Sequence, residues 1–131
     1  MSPTPAPDRA PAPNPDPAPN PAPAPAFHAY DVSLQLAREV ARVLPVILRH
    51  DPSLADQLRR AVTSVPLNVA EGNRRIGKDR PHHFRVALGS AAEVAACLDV
   101  AEALGYLARS ATLPALAPAD RVQRLLCGLT R

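Results

Sequence analysis

Apolar residues recur at intervals of three and four positions in four blocks between residues 31 and 129, and no block alternates with the period of two that a strand requires. This pattern predicts an all-α protein. The first predicted helix begins near Asp31 as its N-cap and is interrupted late by Pro45, before a turn at Asp51 and Pro52. Its inward stripe comprises Leu36, Val40, Val43, Leu44, Ile47 and Leu48.

The second and third predicted helices carry the longest periodic patterns. The second starts at Pro52 or Ser53 and reaches a C-cap region at Gly72, and the third opens with Asp79 as its N-cap and continues to about Gly105. The third helix has two neighbouring apolar stripes, which predicts contacts beyond its own bundle. These stripes are Phe84, Leu88, Ala91, Ala95 and Leu98, and beside them Ala87, Val94 and Ala101.

The fourth predicted helix is short and runs from about Pro118 to Leu129, with Val122, Leu125 and Leu126 facing inward. Short connections place consecutive helices beside each other in opposite directions. The predicted fold is therefore an antiparallel up-down-up-down four-helix bundle.

The first 26 residues differ from the rest, because eleven of the 17 prolines fall at nearly every second position between residues 3 and 25. Proline lacks an amide proton and restricts the residue before it, so this segment forms neither helix nor central strand. We predict a disordered tail with polyproline II character. The chain thus divides into a proline-rich tail, residues 1–26, and a four-helix bundle domain, residues 27–131.

The bundle is basic. Without Arg9, Asp8 and Asp16 of the tail it holds 14 basic and 10 acidic residues, a net charge of +4. Fourteen of the chain's 15 basic residues are arginine, which binds phosphate well, although a GC-rich genome produces the same bias. Cys97 and Cys127 lie in apolar helical runs, where we expect buried thiols in a reducing cytoplasm. No apolar stretch approaches the roughly 20 residues that span a bilayer, so no membrane partner is expected.

Two segments place small and polar residues inside the helical periodicity. Residues 64–72 read SVPLNVAEG and residues 87–93 read ALGSAAE. A proline in the middle of a helix removes a backbone hydrogen bond and costs roughly 3 kcal/mol. The first segment must therefore contain compensating interactions.

The chain resembles the bacterial four-helix bundle family first associated with intervening sequences in large-subunit ribosomal RNA genes. The resemblance rests on these two segments, on Arg59, Arg60 and Phe84, and on the run LGYL at 104–107. They are also similar to the related accessory variability determinant of diversity-generating retroelements. The resemblance covers most of residues 30–129. It implies a ring-like homopentamer without enzymatic activity, and in the retroelement branch it implies a reverse transcriptase and its RNA as partners bound through basic surfaces.

A polar contact between the second and third helices follows from helical spacing. Three polar residues of the second helix share one face, and two polar residues of the third helix share another. If the two faces oppose each other, Asn68 and Ser90 hydrogen-bond across the gap, Glu71 or Glu93 pairs with an arginine, and Gly89 allows close approach. The carbonyl freed by Pro66 then accepts a side-chain donor. The predicted structural network comprises Ser64, Asn68, Glu71, Ser90 and Glu93.

A catalytic or metal site made from Glu71, Glu93, His82 and His83 is the competing interpretation. Carboxylate-bridged metal sites in bundles use a Glu-x-x-His spacing, which is missing here. Adjacent histidines on a helix point about 100° apart and do not easily face one ion. We expect no catalytic residue, no metal and no cofactor.

Basic residues cluster around the turn between the second and third helices, near a helix N-terminus that favours phosphate. A solvated loop in which Asp79 compensates part of the charge is the alternative. Phe84 is expected in the core and few other aromatic residues exist, so we expect recognition of the phosphate backbone without base stacking. The predicted nucleic-acid-binding residues are Arg59, Arg60, Arg74, Arg75, Lys78, Arg80 and Arg85.

Two functions remain open. The first is a non-enzymatic oligomeric adaptor in the cytoplasm that binds RNA, an RNA-DNA hybrid or a nucleic-acid-processing protein such as a reverse transcriptase. The second is a structural protein-interaction hub without nucleic-acid binding, in which the proline-rich tail recruits a partner through polyproline II recognition.

Overall fold

Four α-helices form the domain. The computed structural model describes residues 2–19 and 24–131, and its helices are α1 (Pro25–His50), α2 (Pro52–Arg74), α3 (Asp79–Ala103) and α4 (Arg109–Leu129). Each helix packs against the next one in the chain, and α4 packs back against α1. Short connections at 51, 75–78 and 104–108 reverse the chain direction each time. The predicted all-α, up-down-up-down bundle is confirmed.

Helix α1 begins six residues earlier than predicted, at Pro25 instead of Asp31. Proline at the first helical position has its φ angle already set and loses no helical hydrogen bond there. Burial of Ala26 and Ala29 adds packing to this extra turn and a half. Two residues assigned to the tail therefore belong to the helix. Residues 2–19 are exposed and contain neither helix nor strand, while the part of the predicted tail at 1 and 20–23 lies outside the described residues.

Prolines 45, 66, 114 and 118 all lie inside helices. Helix α4 consequently begins nine residues earlier than predicted, at Arg109 instead of Pro118. Each interior proline costs roughly 3 kcal/mol of local helix stability. Burial offsets this cost in α4, where Ala115, Pro118 and Ala119 pack into the core. Tertiary packing therefore decides where this helix starts.

One corner of the bundle is fixed by polar contacts. The Asp51 carboxylate accepts a hydrogen bond from the Leu54 backbone N–H at 3.0 Å and so caps α2. Tyr106, in the connection to α4, donates its hydroxyl to the same carboxylate at 3.2 Å and stacks on His50 at 5.0 Å. Gly105 adopts φ +79°, which lets the Tyr106 N–H return to the Ala101 carbonyl at 2.8 Å and close α3.

A single core runs between the four helices. Most of both apolar stripes of α3 is buried inside the chain's own bundle, including Ala87, Val94 and Ala101, while Leu88 and Ala95 are half-buried. Helix α3 uses two stripes here because it lies between two neighbours, α2 and α4, and packs an apolar side against each. Cys97 is buried as expected, and burial raises the pKa of its thiol, but Cys127 is exposed. Within the described residues, no helix is both long and apolar enough to cross a bilayer.

Candidate nucleic-acid interface

The polar faces of α2 and α3 do meet. Ser90 donates its hydroxyl to the Ser64 hydroxyl oxygen at 2.7 Å, which links the two helices directly. The Asn68 amide donates to the same Ser64 hydroxyl at 3.0 Å and to the Ser64 carbonyl at 2.9 Å. His83 joins through Nδ1, 3.3 Å from the Asn68 carbonyl oxygen. This connected chain of half-buried groups satisfies polar atoms that burial would otherwise destabilise.

Several details of the predicted network differ. Asn68 reaches Ser64 and His83 instead of Ser90. The amide donates to the Ser64 carbonyl, whereas the carbonyl freed by Pro66 belongs to Val62. Gly89 is exposed, and a Cβ added to it would meet no atom within 4 Å, so it does not bring α2 and α3 together.

The two glutamates lie at the edge of the contact. Glu71 pairs at 2.7 Å with Arg75, the residue that directly follows α2, and Glu93 accepts a hydrogen bond from the Gln57 amide at 3.0 Å. The hydrogen bond and charge of Arg75 lower the pKa of Glu71. Because the folded-state pKa is lowered, the stabilisation from this pair is present above the ordinary glutamate pKa and is lost as the pH falls through the lowered value.

Three of the four residues of the competing metal or catalytic interpretation have other partners in the fold. His83 faces Asn68, and His82 meets His83 only edge-on, with ring centroids 5.5 Å apart. Glu71 and Glu93 each have the partners described above. Across residues 2–19 and 24–131, no three His, Cys, Asp or Glu side chains are placed to hold a metal ion together.

Close packing of α2 against α3 occurs at Gly72 instead of Gly89. A Cβ built on Gly72 would lie 2.6 Å from Cε1 of Phe84, whose ring is completely buried. Arg80 covers the outer side of this contact, with its guanidinium 5.0 Å from the Phe84 ring centroid and one N–H donated to the Gly72 carbonyl at 3.2 Å. From the sequence, Gly72 was predicted only as part of a helix C-cap.

One end of the bundle gathers most of the predicted cations. Because the helices alternate in direction, α1 and α3 begin at this end and α2 and α4 finish there. The Asn73 amide donates to the Ala26 carbonyl at 3.5 Å and ties α2 to the start of α1. We call this the basic end, and define it by Arg74, Arg75, Lys78, Arg80, Arg85, Arg121 and Arg124.

Two predicted residues lie elsewhere. Arg60 is fourteen residues before Arg74 on α2, which separates them by about 21 Å along the helix axis. Arg59 and Arg60 also share the Asp56 carboxylate, at 2.8 and 3.2 Å, and together they lower the pKa of Asp56. The structure therefore groups this arginine pair with an acid, away from the basic end.

The cations of the basic end differ in how far they are neutralised. Arg75 pairs with Glu71 and Arg124 pairs with Asp120 at 2.6 Å, while Arg80 is held by Gly72 and Phe84. In the described part of the chain, Arg74, Lys78 and Arg85 are exposed and make no salt bridge with any acidic group. We call these three the open cations.

Helix α4 adds a cation that the sequence analysis missed. Arg121 donates to the Gln35 side chain at 3.3 Å and is exposed at the basic end, beside His28 and Arg124. No local motif marks Arg121. Only the topology indicates that Arg121 belongs to the basic end, because the last helix of an up-down-up-down bundle finishes at the same end as the second helix.

These features define the class of the protein: a small all-α bundle with a polar contact between its middle helices and one cationic end. The chain belongs to the 23S rRNA-intervening sequence protein family, whose model matches residues 26–128 and leaves the first 25 residues outside. The fold is similar to a crystal structure of a protein with unknown function from the S23 ribosomal protein family of Bacteroides thetaiotaomicron VPI-5482. That structure has a TM-score of 0.74 and 18% sequence identity, and the match covers 82% of this chain and 98% of the other. No curated protein matches the chain.

Proposed function

We propose that this protein is a non-enzymatic oligomeric adaptor that binds the phosphate backbone of RNA at the basic end of its bundle. One observation carries the proposal: Arg74, Lys78 and Arg85 stand exposed around one helix-to-helix turn without an acidic partner in the described residues. Lys78 directly precedes α3, whose first turn presents backbone N–H groups that favour phosphate. Binding to phosphate releases counterions and requires no base-specific contact.

Replacing the three open cations together by alanine is expected to weaken RNA binding roughly 10- to 100-fold at physiological salt. For single-stranded RNA, the slope of the logarithm of the binding constant against the logarithm of the salt concentration should become shallower by about 2, since three phosphate contacts are lost. Fluorescence anisotropy with a labelled RNA, repeated over a salt series, measures both quantities.

A matched control removes the same charge from α1 through Arg38→Ala, Arg42→Ala and Arg49→Ala, three exposed arginines away from the turn. This variant should keep the wild-type salt slope. If both triple variants lose the same affinity, the protein binds RNA only through its overall charge, and the assignment to the basic end is wrong.

Self-association is part of the proposal and is supported by the outer side of α3. Val86 and Val100 are exposed there on one side of the helix, with Gly89 between them, and the exposed Leu104 directly follows the helix. Isolated exposed apolar residues are ordinary, but here two share one helix face. We propose that a second copy covers this face and that repetition of the contact builds a homo-oligomer, a pentamer by the family resemblance.

Val100→Arg is expected to dissociate the oligomer, because it places a charge in the middle of that contact. Leu113→Arg is the matched control: Leu113 is 47% exposed on α4 against 44% for Val100 on α3. Light scattering at micromolar concentration should give a multiple of the 13.9 kDa chain for the wild type and for the Leu113 variant. A monomeric wild-type protein would overturn the self-association proposal.

The identity of the larger partner belongs to the same proposal. The resemblance to the retroelement accessory proteins supports a reverse transcriptase or its RNA-DNA product as a ligand of the basic end. The polar contact of Ser64, Asn68, Ser90 and His83 is assigned a structural role, because its groups bond to one another across the helix pair.

A further inference from the structure

A small apolar groove opens beside the basic end, between the start of α1 and the last turn of α2. It has a volume of about 280 Å³, and it is lined by Phe27, Tyr30, Ala70, Asn73 and Arg74. Phe27 is 61% exposed, although it is one of only two phenylalanines in the chain. The hydrogen bond from Asn73 to the Ala26 carbonyl fixes the two walls against each other.

The groove combines two kinds of surface that accept a nucleobase. Phe27 and Tyr30 are three residues apart on α1 and therefore share one helix face. Aromatic rings of this kind stack on the π-face of any base, and an arginine guanidinium contributes a cation–π contact. From the sequence no stacking was predicted, because the aromatic residues are few and Phe84 is expected in the core. Folding brings two of them beside Arg74.

Arg74 belongs both to the groove and to the open cations. A strand whose phosphates bind Arg74 and Lys78 therefore passes along the edge of the groove, where a base turned out of the stack reaches Phe27. An apolar groove bordered by a cation matches the chemistry of a nucleotide, which joins a flat ring to a negative charge. If a purely apolar helix from another protein occupied the groove instead, the charge of Arg74 would have no partner.

We propose that this groove holds one unstacked base of single-stranded RNA, with Phe27 as the stacking platform and Arg74 at the adjacent phosphate. The inference rests on the proposed function and deepens it, because it specifies single-stranded RNA instead of duplex. Stacking is tolerant of base identity. The groove therefore requires a base but does not select among the four bases.

Two probes of equal charge test the inference with the full chain: a fluorescein-labelled oligoadenylate and an abasic oligoribonucleotide of the same length. Wild-type protein should bind oligoadenylate about 5- to 150-fold more tightly than the abasic strand, the range expected for one stacked base. Phe27→Ala should abolish this preference and leave abasic binding unchanged. Phe27→Trp should retain the preference, and Leu113→Ala, at an exposed apolar position of α4, should not alter it.

The outcomes separate the two proposals. Equal binding of both probes by the wild-type chain overturns the stacking inference and leaves phosphate binding at the basic end intact. Binding of neither probe overturns the proposed function together with the inference. Because the chain has no tryptophan, Phe27→Trp also introduces a unique indole fluorophore. If this indole is already shielded from acrylamide before RNA is added, the proline-rich tail or a second copy fills the groove and the inference is wrong.

Discussion

Phe84→Ala is expected to lower the free energy of unfolding by about 3–5 kcal/mol, the largest effect we predict for any single substitution. Phe84 is completely buried where α2 packs on α3 and has the largest side chain among the fully buried residues. Its loss removes apolar burial and leaves a cavity that Gly72, with no side chain, cannot fill. Chemical denaturation followed by circular dichroism measures the change at a fixed protein concentration.

Leu113→Ala serves as the control, because Leu113 is exposed on α4 and lies outside the face of α3 proposed for self-association. It should change the free energy of unfolding by less than about 0.5 kcal/mol. If Phe84→Ala lowered the free energy of unfolding by a similarly small amount, the burial of Phe84 between α2 and α3 would be contradicted.

Gly72→Ala is the second large effect, with an expected loss of about 1–3 kcal/mol. The added Cβ would lie 2.6 and 2.8 Å from two carbons of the Phe84 ring, and the ring is enclosed by the core. Alanine is the better helix former by about 1 kcal/mol, so a position free of contacts would gain stability from this change. Thermal and chemical unfolding of the variant show directly whether the substitution raises or lowers the free energy of unfolding.

Gly89→Ala provides the matched control, since its added Cβ meets no atom within 4 Å on α3. In a Val100→Arg background, where no second copy covers this face of α3, it should stabilise the protein by about 0.5–1 kcal/mol. The two glycines are therefore expected to respond with opposite signs. If Gly72→Ala also stabilises the protein, the close approach of α2 and α3 at Gly72 is contradicted.

A double variant tests the coupling between the two residues. In a Phe84→Ala background the ring is absent, so adding Gly72→Ala should be neutral or stabilising instead of destabilising. The same contact reaches the surface, because Arg80 binds the Gly72 carbonyl and lies over the Phe84 ring. Packing at Gly72 thus also holds one cation of the basic end in place.

The middle of the bundle was well predicted from the sequence. Helices α2 and α3 have long periodic patterns, and Phe84, Ala91 and Leu98 of α3 are buried as their spacing indicated. Spacing also placed Ser64 and Ser90 on faces that meet at 2.7 Å. Periodicity succeeds here because a helix must direct every third or fourth residue to the same side, whatever it packs against.

The ends of the outer helices were predicted less well. Local propensity favours Pro118 as the start of the fourth helix and Asp31 as the N-cap of the first, and both predictions place the helix start too late. The folded chain instead continues α4 through Pro114 and Pro118 and starts α1 at Pro25. Burial of small residues such as Ala29 and Ala119 outweighs these local costs, and that burial depends on the neighbouring helices.

The amino-acid sequence by itself determined the all-α class, the four helices, the family resemblance and the excess of arginine near the α2–α3 turn. Only the tertiary structure decided that Gly72 instead of Gly89 forms the close contact. It also separated Arg59 and Arg60 from the basic end, added Arg121 to it, and placed Phe27 beside Arg74. The physical reason is that spacing fixes which residues share a helix face, while antiparallel packing and side-chain volume fix which faces and ends meet.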